Sequence, residues 1–251
     1  MKPVTDVRIN QMYFKVLPCK SRDGDYWDTV NKGKWESETF DFMRNYIRPD
    51  KDYFELGAWI GSTILGAYAF NPRKIYGIEA DPANFQTLKY NVNKNYLQDK
   101  VQIFNTCVTD TGNAGKIVGF GTANKEKPNS SSHRLDNGSR VKVKTESILP
   151  FLHKNTDIRN INTINMDIEG SECYMGELFS FFQDKDVAIL LSLHPPFWTK
   201  EKDKIIANLL DSIQKYTILC PFTYNEIKKP DMKDKILENK FFSIIMQGRS
   251  R

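Results

Sequence analysis

From residue 52 onward the pattern of apolar and polar positions switches repeatedly between strand-like and helix-like stretches. A short apolar run ends in Phe54-Glu55-Leu56 and is closed by Gly57, which reads as a buried strand. Residues 62–70 are small and apolar, as in a helix packed on a sheet, and residues 74–79 (KIYGIE) form a second strand. Phe85, Leu88 and Val92 then share one helix face, with Asp81 placed as N-cap and Pro82 at the first helical position. Residues 101–105 predict a third strand, residues 161–167 (INTINMD) a fourth and residues 187–193 (VAILLSL) a fifth, apolar throughout and so interior to the sheet. The EGSE that follows the fourth strand reads as the opening of a helix. Thr199 is placed to cap another, with Ile205, Ile206, Leu209, Leu210 and Ile213 on one face. Residues 216–220 and 241–246 are the last strands. No helix signal separates them, so they are expected to pair antiparallel at the sheet edge.

Strands alternating with helices predict an α/β fold, a doubly wound and mainly parallel Rossmann-like sheet, with its ligand site at the carboxyl ends of the strands. Gly57, Glu79, residues 107–110, Asp167 and His194 all fall at such ends. The expected organisation is an N-terminal cap or appendage over residues 1–47 and one domain over residues 48–251. The first part contains the aromatic-rich DGDYWDTVNKGKWESETFDFM, with Ser37 as cap of a helix ending before Pro49. It either covers the cofactor and builds the substrate entrance or serves as packing. Residues 111–145 read as a hairpin-like insertion. Asn137-Gly138 marks a turn before RVKVKT, with a mobile loop around residues 125–133.

The turn after the first strand is Glu55-x-Gly57-x-x-x-Gly61. Glycine permits a sharp bend and close approach, and the N–H groups opening the next helix would face a ligand. A dinucleotide site would read G-x-G-x-x-G to seat a pyrophosphate. The carboxylate of Glu55 would repel a pyrophosphate and suits a cationic amino-acid moiety, which favours S-adenosylmethionine. Glu79, 18 residues after Gly61, stands where an acid accepts ribose hydroxyls.

Composition narrows the class further. The chain has 251 residues, 40% hydrophobic and 27% charged, as in a soluble globular protein. No apolar run reaches the ~18 residues that span a bilayer. The first residues lack an apolar signal core, so a cytoplasmic location is expected. Cys19, Cys107, Cys173 and Cys220 form no C-x-x-C, and neither a zinc site nor a disulfide framework is expected. The net charge of +5 is mild and spread out, so it permits an anionic substrate without calling for nucleic acid. Lys228, Lys229, Lys233, Lys235 and Lys240 alternate with acids and read as a solvated face.

Asp167-Ile168-Glu169-Gly170-Ser171-Glu172 is the second chemical motif. Aliphatic hydroxyls are very weak acids, so transferring a group to one calls for a positioned base or a metal. Asp167, Glu169 and His194 are the candidates. His194 is a base, a metal ligand or a hydrogen-bonded structural histidine. Asp167 and His194 could share a divalent ion, but two ligands alone do not make a site.

ELGAWIG, YGIEADPANFQTLKYNVNKN and INMDIEGSE together resemble the FkbM family of class I methyltransferases, the last being similar to that family's K-I-D-V-E-G-x-E. The resemblance covers roughly residues 50–200. It implies a seven-stranded sheet with a reversed last strand, S-adenosylmethionine as cofactor, and O-methylation, often of sugar hydroxyls. Glu55, Gly57 and Gly61 match the cofactor turn, Glu79 matches the ribose acid, and Asp167, Glu169 and Glu172 match the active-site motif. The expected cofactor contacts are Glu55, Gly57, Ala58, Trp59, Gly61, Ser62, Glu79, Ala80, Val108 and Asp167. Asn165-Met166 departs from the usual Lys-Ile pair, and Ser192-Leu193-His194 lacks the acid common before the histidine.

The resulting expectation is methylation of a hydroxyl on a sugar, glycan or related small molecule, with Asp167, Glu169 and His194 around the acceptor and metal use open. Two other readings stand beside it. Methylation of nucleic acid is suggested by His194-Pro195-Pro196-Phe197, which is similar to the D/N/S-P-P-Y/F/W tetrapeptide of base methyltransferases but follows the fifth strand instead of the fourth. A catalytically silent cofactor-binding domain is the other, against which the joint presence of Glu55, Gly57, Glu79 and Asp167 speaks.

Overall fold

The computed structural model describes residues 4–21, 24–120, 141–198 and 201–248. In chain order its elements begin with β1 (Thr5–Ile9), β2 (Met12–Val16), β3 (Lys20–Ser21), β4 (Gly24–Asp25), α1 (Tyr26–Asn31) and α2 (Ser37–Tyr46). They continue with β5 (Asp52–Leu56), α3 (Ser62–Ala69), β6 (Lys74–Ile78), α4 (Pro82–Lys94), β7 (Val101–Phe104), β8 (Cys107–Thr109), β9 (Ile117–Phe120), β10 (Val141–Ser147) and α5 (Ile148–Asn155). The last part holds β11 (Ile161–Met166), α6 (Gly176–Phe182), β12 (Ala188–Leu193), α7 (Lys202–Ser212), β13 (Thr217–Leu219), α8 (Lys229–Leu237) and β14 (Phe242–Gln247).

The main sheet has seven strands in the order β13-β14-β12-β11-β5-β6-β7. Every contact among β12, β11, β5, β6 and β7 is parallel, whereas β14 runs antiparallel to both of its neighbours. This is the doubly wound Rossmann-like sheet expected, with the last strand reversed. Strands buried on both faces divide their side chains between two cores. Phe54, Leu56, Ile164, Met166, Ile189 and Leu191 pack with α5, α6, α7 and α8. On the opposite face Tyr53 and Ile75 pack with α1, α3 and α4, and Phe42 of α2 closes over Ala188, Leu190 and Ile245. Each such large apolar side chain contributes about 1.5–3 kcal/mol through burial. The strand order reverses between β5 and β11, which puts the crevice for a ligand at their carboxyl ends.

Local sequence explains most boundaries. Asp81 Oδ1 accepts from the N–H of Ala83 at 2.7 Å and caps α4, with Pro82 at its start, as its sequence predicts. The insertion forms an antiparallel β9–β10 pair, and β10 also runs parallel to β8. The loop expected around residues 125–133, the Asn137-Gly138 turn and Thr199 lie outside the described residues.

Four expectations need correction. A helix, α8, does separate the last two strands. Only Met232 and Ile236, four residues apart, are buried in it, and that stripe is too narrow to stand out among the lysines. EGSE does not open a helix. Glu169 (φ 52°) and Gly170 (φ 100°) are left-handed, a 3₁₀ turn follows at Glu172–Tyr174, and α6 begins only at Gly176. Ser37 is the first residue of α2, whose N-cap is Glu36 in the left-handed region. Residues 107–110 end no strand of the main sheet, since β8 belongs to the small β8-β10-β9 sheet, and the Asp110 carboxylate accepts from the N–H groups of Gly176 and Glu177, both at 3.0 Å, at the start of α6. The four cysteines are free, as expected. Among the described residues no helix is long and apolar enough to cross a membrane.

Candidate active site

The glycine turn is built around a backbone contact. Gly57 has φ 88°, its N–H and that of Ala58 donate to Ile78 O at 3.0 and 2.9 Å, and the N–H of Asp167 donates to Leu56 O at 3.0 Å. A Cβ on Gly57 would sit 1.8 Å from the carbonyl oxygen of Asp167. The missing side chain therefore lets the end of β11 press against the turn, in addition to freeing the backbone. Gly61, at φ 98°, precedes α3 and leaves room for Leu88.

Glu79 follows β6 and is nearly buried. Its Oε2 accepts from Trp59 N–H at 2.8 Å and its Oε1 from Asp81 N–H at 2.7 Å, so the carboxylate ties the turn to the capped start of α4. Burial raises its pKa to about 7 against those hydrogen bonds. Asn105 Nδ2 holds the backbone behind it, donating to the carbonyls of Glu79 and Ala80. Cys107 lies close enough for the charge of Glu79 to add to burial in raising its thiol to about 12. Ala58 and Val108 are buried, whereas Trp59 and Ala80 are half-buried.

Glu55 is fully enclosed beneath the turn. Its carboxylate accepts from Thr63 Oγ1, from Tyr53 OH at 3.1 Å and from Asn165 Nδ2 at 3.3 Å, and burial pushes it up to about 8. Asn165 is the sequence departure noted above, and it sits directly opposite Glu55 in the β11–β5 register. An amide at that point supplies a neutral donor to the buried acid, where a lysine would bring a second buried charge.

Asp167 and His194 converge, as their positions at neighbouring strand ends predict, and the left-handed turn at Glu169 brings that acid to them. His194 Nε2 lies 3.5 Å from Asp167 Oδ1 and 3.5 Å from Glu169 Oε2. On the other side of the ring, Nδ1 meets Glu172 Oε1 at 2.7 Å, and that oxygen also accepts from Gly170 N–H at 2.8 Å. Glu172 is wholly buried, so it orients the histidine and is more than a helix-start acid. Burial alone would lower the imidazole pKa. The Glu172 hydrogen bond and the charges of Glu172, Asp167 and Glu169 outweigh it and raise His194 to about 9. Burial and then the Asp167 charge raise Glu169 to about 7, and burial raises Asp167 as well, against the lowering effect of His194.

Tyr26, Trp35 and Glu36, from the aromatic-rich stretch before β5, pack near the glycine turn and the crevice. Tyr26 OH and Ser62 Oγ share a hydrogen bond of 2.6 Å, and the Tyr26 ring meets Trp59 edge-on at 4.8 Å and Trp35 at 5.4 Å. Glu36 is raised to about 8 by burial and then by the charge of Asp167, which places it near the same crevice. On the far side Phe197 stacks on His194 at 5.8 Å, and Phe241, 59% exposed, lies 5.1 Å from both rings.

Among the described residues, the buried side-chain polar atoms without a hydrogen-bond partner are Trp59 Nε1, Asp167 Oδ1 and Glu172 Oε2. Trp59 follows the glycine turn and Asp167 ends β11 at the crevice, while Glu172 lies buried behind His194. Such groups are costly in a folded chain, so their clustering marks a place meant for a polar ligand.

The strand order with its reversed last strand, the glycine turn and the acid after β6 define a class I, Rossmann-like methyltransferase, dependent on S-adenosylmethionine. The chain belongs to the FkbM methyltransferase family, whose domain model (Methyltransferase FkbM domain) matches residues 55–191. Among solved structures it is similar to precorrin-6y C5,15-methyltransferase from Geobacter metallireducens GS-15, at 11% identity and TM-score 0.47 over 84% of this chain and 86% of that one. It is also similar to the M. jannaschii tRNA m1G37 methyltransferase, at 11% identity and TM-score 0.49 over 99% of this chain and 57% of that one. M. jannaschii TYW2 in complex with AdoMet is a third, at 11% identity and TM-score 0.47 over 98% and 86%. No curated protein matches the chain in sequence.

Proposed function

We propose that this protein is an O-methyltransferase acting on a hydroxyl of a sugar, glycan or related small molecule. The observation that carries the reading is the contact between the cofactor turn and the proton-handling cluster, since Gly57 lies against Asp167, whose side chain meets His194 and, through it, Glu169. When bound, S-adenosylmethionine supplies an electrophilic methyl group on a sulfonium. Glu79 accepts from the ribose hydroxyls, held for that task by the two backbone N–H groups it already binds. Trp59 and the start of α3 line the turn, with Glu55 bracing it from below. Residues 1–47 cap the crevice through Tyr26, Trp35 and Glu36. Asp167, Glu169 and His194 align the acceptor hydroxyl, and a carboxylate of Asp167 or Glu169 takes up its proton. Phe197 and Phe241 offer apolar ring faces suited to the C–H face of a pyranose.

The test is transfer of labelled methyl to a panel of mono- and oligosaccharides, each compared with the same sugar already methylated at the candidate hydroxyl. Asp167→Asn and His194→Ala are expected to lower the rate at least ~10²-fold each, the usual range for general acid–base groups. Full activity of the double variant would remove the roles assigned here.

Cofactor affinity should also depend on pH. An ionised carboxylate accepts on both oxygens, whereas a protonated one loses acceptor capacity. Glu79, raised from 4.5 to about 7, is therefore expected to bind S-adenosylhomocysteine more tightly as pH rises from 6 to 8. Calorimetric titration across that range checks it, and a flat profile would contradict the assignment.

A further inference from the structure

We infer that Asp167, Glu169 and His194 form a site for one divalent transition-metal ion, with Glu172 as the residue that aims the histidine. One atom from each of the three lies within 4.8 Å of the others. Their spacing is the first argument. A charge-assisted hydrogen bond between an imidazole and a carboxylate closes to about 2.7–2.9 Å. His194 Nδ1 does this with Glu172 at 2.7 Å. Its Nε2 instead stands 3.5 Å from Asp167 Oδ1 and from Glu169 Oε2. Two ligands on a tetrahedral ion with bonds of about 2.1 Å lie roughly 3.4 Å apart. Both Nε2 separations match that edge and neither is hydrogen-bonding.

Orientation is the second argument. Histidine ligands are held by a partner on the other ring nitrogen, commonly a carboxylate. Glu172 is fully buried, is itself fixed by Gly170 N–H, and directs the opposite nitrogen of His194 toward the two acids. A third observation concerns satisfaction. The His194 side chain is only 8% exposed, yet Asp167 Oδ1, which faces it, is buried without a hydrogen-bond partner. Among the described residues the ion-pair contacts of Asp167, Glu169 and Glu172 are all with this one histidine, and none is with a lysine or arginine. A divalent ion between the ligands would satisfy the orphaned oxygen and the charge together.

One imidazole and two carboxylates suit Mn²⁺ or Zn²⁺ better than Mg²⁺ or Ca²⁺, which favour oxygen alone. Asp167 and Glu169 keep 34% and 21% of their side-chain surface exposed, so the site opens on its cleft side. Three protein ligands with an open position describe a catalytic site more than a structural one. Its use there, to make an acceptor hydroxyl more acidic, rests on the O-methylation reading, whereas the binding itself does not.

The experiment strips the full chain with chelator and titrates Mn²⁺, followed by the spin-resonance signal of the free ion, with Zn²⁺ measured by competition against a chromophoric chelator. Neither cofactor nor acceptor is present. One ion per chain is expected, with Asp167→Asn, Glu169→Gln and His194→Ala each weakening binding at least ~10-fold and Glu172→Gln by ~10–100-fold, the range for residues behind a ligand. A cooperative melting transition and a far-ultraviolet circular dichroism spectrum matching the wild type show that the variants are folded. Absence of stoichiometric binding to the wild type, or binding unchanged in folded variants, overturns the site. Ion binding without methyl transfer to any saccharide would leave the site standing and remove the proposed acceptor, while chelator-resistant methylation by a chain that binds no ion would do the reverse.

Discussion

Gly57→Ala is expected to lower the melting temperature by on the order of 10 °C and to abolish cofactor binding. At φ 88° an alanine carries backbone strain of ~1–3 kcal/mol. The larger effect is steric, since the new Cβ would lie 1.8 Å from the carbonyl oxygen and 2.8 Å from the carbonyl carbon of Asp167. Those are backbone atoms at the end of a central strand, so β5 and β11 must part at the point where the site is built. A total of about 4 kcal/mol is reasonable for such a clash, and at this chain length each kcal/mol moves the melting temperature by roughly 2–4 °C. Gly112→Ala is the control. Nothing lies within 4 Å of a Cβ there, and stability should stay within about 0.5 kcal/mol. Calorimetric melting of the two variants decides it, and a Gly57→Ala protein as stable as wild type would contradict the packing described for the turn.

Glu79→Ala should weaken S-adenosylhomocysteine at least ~10²-fold, because hydrogen bonds to a charged group are worth about 1.5–3 kcal/mol each and the proposed ribose contact makes two of them. The substitution also strands the N–H groups of Trp59 and Asp81, both now bound to this carboxylate. Glutamine does not restore the arrangement, since one of its two terminal atoms is a donor facing a donor. Isothermal titration of wild type and both variants is the measurement. Wild-type affinity in Glu79→Ala would remove this acid from the cofactor site.

Much of this architecture is legible in sequence because it is written in local chemistry. Asp81-Pro82 states a helix start, Gly57 and Gly61 state a turn, and apolar residues 187–193 state an interior strand. Positions at strand ends are enough to bring Asp167 and His194 together. What escaped depends on contacts between distant residues. The resemblance marks Glu172 as part of the active-site motif, but its task becomes visible only when His194, 22 residues away, is folded onto it. Tyr26 and Glu36 lie in the aromatic-rich stretch that the sequence offers either as a cover or as packing, and only the fold sets Tyr26 against Ser62 and Glu36 within range of the Asp167 charge. The departure at Asn165 becomes intelligible through its strand partner Glu55. Helix α8 was hidden because two buried side chains among many lysines give too weak a periodic signal.

The central claim is that the methyl group goes to oxygen. The most direct measurement is an incubation with S-adenosylmethionine carrying ¹³C in its methyl group, with a saccharide panel and separately with RNA and DNA, followed by carbon NMR of the products. The account predicts a single new O–CH₃ resonance on a sugar, lost when the target hydroxyl is already methylated. A label found on nitrogen or carbon, or only in the nucleic acid, would contradict it.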